Sequence, residues 1–170
     1  VNAKGIITDA YLRTSANHIY AAGDIAGPYQ LSHMAGHQGM TATLNAFLPL
    51  RRRAERERVP WCVFTDPELA RSGLTEEEAR ARGAVKVFRY NAADIDRYRA
   101  ERETDGFIKY ITDRKYRILG VHIVASSASE LIMEGHLARH RGIPLPELYQ
   151  AIHPYPIRGD LNRQAAKLAA

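Results

Sequence analysis

Cysteine is nearly absent from this chain: its 170 residues include one, Cys62. A single thiol closes no intrachain disulfide, so no redox-active cysteine pair lies within these residues. Any dithiol chemistry must draw on cysteines elsewhere. Long apolar runs are missing too. Nothing approaches the roughly 18 apolar residues that a membrane-spanning helix needs, and the opening VNAKGIITDAYL lacks the apolar centre of a secretion signal. The expectation is a cytoplasmic protein with no membrane partner. Repeats and low-complexity tracts are also lacking. With 45% hydrophobic and 25% charged residues, the chain has an ordinary globular composition. Its length gives room for one domain and a fragment of another.

The net charge is +5, and much of the excess lies in Arg51, Arg52, Arg53, Arg56 and Arg58. Glu55 and Glu57 interrupt that run, and it holds no aromatic residue to stack on bases. A solvated linker is expected over 51–58, not a nucleic-acid site.

Before the linker the pattern reads strand, loop, helix. GIITD (5–9) and Ile19-Tyr20-Ala21-Ala22 are β-rich, and Gly23-Asp24 ends the second as a tight turn. One long helix is predicted from Gln30 to Leu48, closed by Pro49. After the linker the pattern becomes α+β. Strands are predicted at Trp61–Phe64, Val85–Tyr90, Phe107–Thr112 and Ile118–Ala125, the last two as an antiparallel hairpin with a polar tip. Thr75 with Glu78 forms a capping box for a short helix ending at Gly83. The clearest helix is Ser127–Arg141, with Leu131, Ile132, Met133, Leu137 and Ala138 read as one broad apolar face. Shorter helices follow at Pro144–Ile152 and Gly159–Lys167, and His153-Pro154-Tyr155-Pro156 must be extended between them. Asn91–Tyr98 is left open between helix and irregular chain.

Several chemical candidates are weak. His33 and His37, like His136 and His140, stand at i, i+4 on a helix, but no third ligand accompanies them, so no metal site is expected. Ser126, Ser127 and Ser129 suit capping better than nucleophilic attack. The stronger signal is the strand-to-turn segment ending at Gly23-Asp24, followed by a helix start at Leu31-Ser32-His33. Glycine lets the backbone approach a nucleotide or flavin closely, aspartate accepts from a ribose or ribityl hydroxyl, and helix-start amides meet a ligand oxygen.

These residues carry a resemblance. Thr14, then Tyr20-Ala21-Ala22-Gly23-Asp24, resembles the second FAD-binding motif of the class I pyridine nucleotide–disulfide oxidoreductases, mercuric reductases and dihydrolipoamide dehydrogenases among them. Val59-Pro60, Thr65-Asp66-Pro67-Glu68-Leu69-Ala70, Gly73-Leu74-Thr75-Glu76, Gly106–Lys109, Ile118–Ile123 and Ser129–Ile132 resemble the family's dimerisation domain, in order. The resemblance implies an α+β fold: an antiparallel sheet flanked by helices over 59–170, preceded by a strand–loop–helix remnant of the FAD domain over 1–50. It implies FAD and NAD(P)H for a longer parent, a homodimer, and packing against the parent's FAD and NAD(P)H domains. Gly23, Asp24, Leu31, Ser32 and His33 would approach the flavin. The glycine-rich motif, cysteine pair and nicotinamide domain of such enzymes are not among these residues, so the expectation for the chain alone is a homodimerisation module without flavin.

The family also places a histidine before proline, with a glutamate five residues on, as an acid–base pair. His153-Pro154 fits that register but puts Arg158 at the glutamate position. Tyr155-Pro156 fits with Asp160, keeps the carboxylate and runs better into the last helix, so it is preferred. Tyr155, Asp160 and His153 are therefore the catalytic candidates, and Tyr155 in the histidine position is a poor proton shuttle at neutral pH.

Overall fold

A computed structural model of the chain describes residues 5–49, 51–55 and 59–170. They form two compact units, which divide after Val59. No helix among the described residues is long and apolar enough to cross a membrane.

The first unit is built on one helix, α1 (Ser32–Phe47), which buries Met34, Gln38, Thr41, Ala42 and Asn45. Three of these five are polar, and each is hydrogen-bonded, as burial requires. Gln38 accepts from the Gly23 amide at 2.7 Å, and Thr41 donates to the His37 carbonyl at 2.9 Å. Asn45 donates to the carbonyls of Tyr11 (3.0 Å) and Arg52 (2.8 Å) and accepts from the Arg52 amide. Arg52 is thus tied to α1, and the Ala54 amide is tied to the Ala10 carbonyl. Residues 56–58 of the expected linker lie outside the described residues.

The two strands expected in this unit do not form. Among the described residues, GIITD is bonded through the Ile6 amide to Ile25 and through Asp9 to Leu12 and Arg13, and Ile19–Ala22 forms one isolated bridge, Arg13 with Tyr20. Ile19 is half-exposed instead of buried. One bridged pair supplies too few ladder bonds and too little cross-strand packing to hold a strand.

The second unit centres on a five-stranded antiparallel sheet in the order β1-β2-β5-β4-β3. Its strands are β1 (Trp61–Val63), β2 (Glu68–Gly73), β3 (Lys86–Asn91), β4 (Phe107–Thr112) and β5 (Ile118–Ala125). The hairpin of β4 and β5 matches the expected residues and supplies the most buried positions: Ile108, Tyr110, Ile111, Val121 and Ile123 are fully inside. Helices α2 (Glu76–Arg82), α3 (Asp96–Glu101), α4 (Ala128–Arg141), α5 (Leu145–Gln150) and α6 (Asp160–Lys167) flank it. The capping box on α2 is present, with Thr75 and Glu78 each bonding the other's backbone amide. The open stretch 91–98 resolves into a 3-10 turn and the start of α3.

Two expectations need correction here. No strand is predicted over Glu68–Gly73, yet it is one, because β1 and β5 pair with it on both sides. The face predicted on α4 is two faces. Ile132 and Ala138 are buried with Gly135, while Met133 and Leu137 are more than half exposed.

Candidate functional site

Gly23 holds φ +79°, a conformation that glycine adopts freely, and a Cβ there would stand 3.3 Å from that of Ala35. Buried Gln38 fixes the turn from below, bonding the Gly23 amide and reaching the Gly27 carbonyl at 3.4 Å. The Asp24 side chain begins a 3-10 turn and faces solvent. Leu31 is the N-cap residue of α1, and its side chain makes no capping bond; Ser32 and His33 open the helix on its exposed side. The first amides of a helix have no acceptor within it, so the start of α1 is a place where a ligand oxygen can be met.

The other candidates lie in the second unit, on the segment between α5 and α6. The structure does not bring them together as the preferred register expects. Tyr155, largely exposed, donates its hydroxyl to Asp96 on α3 at 2.8 Å. That bond, with the negative charge of Asp96, holds the phenol above its ordinary range. Asp160 instead accepts from Arg163 at 2.7 Å and Gln164 at 3.1 Å, closing the first turn of α6. The carboxylate five residues on is spent on its own helix.

His153 is engaged at both ring nitrogens. Nδ1 lies 2.9 Å from the Ala151 carbonyl and Nε2 lies 3.0 Å from a carboxylate oxygen of Glu134 on α4. Arg158, at the glutamate position in the alternative register, is drawn instead to Glu101, the last residue of α3, and to Glu103 just beyond it, at 2.8 and 2.7 Å, and also bonds Ser127. The segment is therefore held by three polar ties to α3 and α4. Asp96 and Glu134 were missed in the sequence because they stand 59 and 19 residues away from their partners. Only the fold makes these pairs. Among the described residues, no group of three His, Cys, Asp or Glu could hold a metal ion.

Residues 59–165 match the pyridine nucleotide-disulphide oxidoreductase dimerisation domain. The chain is 37% identical over 169 residues to a dihydrolipoyl dehydrogenase of Chlamydia muridarum, covering 98% of this chain and 36% of that protein. It is 35% identical over 158 residues to a mercuric reductase of Bacillus cereus, covering 91% of this chain and 25% of that protein. The HOCl-induced flavoprotein disulfide reductase RclA from Escherichia coli superposes with a TM-score of 0.92 at 28% identity, over all of this chain and 40% of that one. The chain thus spans about a third or less of the length of these curated relatives. With its matching domain, sheet topology and relatives, this chain belongs to the pyridine nucleotide–disulfide oxidoreductases.

Proposed function

We propose that this chain is the carboxyl-terminal part of an FAD-dependent NAD(P)H:disulfide or metal-ion oxidoreductase, in which it mediates homodimerisation and supplies residues to an interfacial active site. The observation that carries this reading is the outer face of α4. Met133 and Leu137, one turn apart, line a hollow of about 450 Å³ with Glu134, His136 and His140. Val63, Phe64 and Leu69 are further exposed apolar side chains on and beside β1 and β2, against which α4 packs. An apolar surface of this kind marks an interaction site, and a second copy of the chain suits it, since a two-fold interface needs one self-complementary patch.

For the flavin of the parent, the residues present fit. Gly23 leaves the room that a Cβ would take, Asp24 offers an exposed carboxylate to a ribityl hydroxyl, and the start of α1 offers backbone amides. Leu31, Ser32 and His33 complete that group. FAD, when bound, supplies the two-electron carrier between NAD(P)H and the acceptor. The chain alone holds part of that site, so a homodimerisation module without flavin describes it in isolation. A cytoplasmic location belongs to the same proposal. Sedimentation equilibrium tests the core of it: the chain should weigh twice its 19.1 kDa, and a monomer would overturn the reading.

A further inference from the structure

His136 and His140 stand one turn apart on α4 with ring centroids 6.1 Å apart, and both line the hollow that holds Met133 and Leu137. His136 is half-buried and His140 exposed. Nδ1 of His136 lies 2.9 Å from the hydroxyl of Ser72, which is fully buried on β2 and anchors the ring. The carboxylate in the same hollow, Glu134, already meets a third imidazole, Nε2 of His153, at 3.0 Å. We propose that His136 and His140 make the pairing of two copies pH-dependent: the dimer closes on neutral rings and parts as they take up protons. The inference rests on the homodimer reading above and adds a condition to it.

The physical reason is the cost of burying charge. An imidazolium loses its hydration when a second copy covers it, and that loss is expensive without a paired carboxylate. Two such charges 6.1 Å apart also repel, more strongly where water is excluded. A two-fold interface presents the pair twice. Carboxylates on the elements packed against α4 are engaged elsewhere: Glu68 of β2 accepts from the Ser129 amide, and Asp160 of α6 pairs with Arg163. Arg71 of β2 pairs with Glu78, His122 of β5 lies against the Leu74 carbonyl, and Lys167 of α6 is exposed. Burial, with Glu68 and Glu130, pushes the Cys62 thiol of β1 up, so it stays neutral. On α4 itself Glu130 lies in the first turn, whereas His140 lies in the last between Arg139 and Arg141. Imidazole takes up its proton around pH 6.5. The separated copies bind protons more tightly than the dimer does, so affinity is full above that pH and falls as pH falls through it.

Fluorescence-detected sedimentation of the chain across a dilution series gives Kd, with circular dichroism to confirm the fold at each pH. From about pH 7.5 to about 5.5 the affinity should fall about tenfold for each ring that the interface keeps neutral, hence at least about 100-fold for one ring in each copy. His136→Gln/His140→Gln, with neutral amides in both places, should bind at the lower pH within about threefold of its affinity at the higher. Where the double change disturbs the fold through Ser72, His140→Gln alone, at an exposed position, should recover at least about tenfold. A chain that pairs equally well at both pH values, or folded variants that weaken as steeply as the chain itself, would overturn the inference alone. A chain that is monomeric at the higher pH would instead overturn the homodimer reading beneath it.

Discussion

Asn162 joins three elements through one side chain. It is fully buried on α6, accepts from the Tyr110 hydroxyl of β4 at 2.6 Å and donates to the Leu131 carbonyl of α4 at 3.0 Å. Burial pushes the Tyr110 phenol well above its ordinary range, so it remains a donor. Asn162→Ala strands a buried hydroxyl and a buried carbonyl, each costing about 1–3 kcal/mol. Urea denaturation should show a loss of about 2–4 kcal/mol. His122 makes a second test. Its Nε2 lies 2.9 Å from the Leu74 carbonyl on the half-buried side of β5, and burial lowers its pKa, helped by Arg71 and Lys109. Between about pH 6.5, the ordinary value, and the lowered folded value, the unfolded chain binds a proton that the folded chain refuses. Stability therefore falls as pH falls through that window. His122→Gln should flatten the change in urea midpoint between about pH 7.5 and about 5.5, above the range where carboxylates titrate. At this scale the sequence named His153, Tyr155 and Asp160 but not Glu134 and Asp96, because hydrogen-bond partners across α3 and α4 leave no mark in local spacing.

Elements were legible where their signals are local. The capping box at Thr75 and Glu78, the hairpin of β4 and β5, and the glycine stop of α4 all form at the residues that announce them. β2 was not legible: Glu68-Leu69-Ala70-Arg71-Ser72-Gly73 is poor in β-formers, and pairing on both sides overrides that weak preference. α4 was half legible, since counting its apolar residues could not separate the buried Ile132 and Ala138 from the exposed Met133 and Leu137. Gly135 explains how closely its inner face sits on the sheet. A Cβ there would stand 2.7 Å from the Tyr110 hydroxyl oxygen and 3.1 Å from Val121. Gly135→Ala gains up to about 1 kcal/mol in helix propensity, yet overpacking a filled core costs about 1–3 kcal/mol. With the Tyr110 hydroxyl pinned by Asn162, the clash should win. A lowered thermal midpoint checks this, and a raised one would show that α4 can lift off the sheet.

At the scale of the whole molecule, the family resemblance read from motifs in order agrees with the matching dimerisation domain at 59–165. The first unit was less legible because, among the described residues, the strands expected there make one isolated bridge and no ladder. The exposed apolar strip on α4 has the opposite history: as a composition it looked like core, and only the fold showed it facing outward. The central claim is that this strip pairs two copies of the chain. Sedimentation equilibrium of the chain and of its Met133→Glu/Leu137→Glu variant, at micromolar concentration and with circular dichroism to confirm equal folding, tests it most directly. The account predicts twice 19.1 kDa for the chain and a folded monomer for the variant. A monomeric chain, or a variant that remains dimeric, would contradict it.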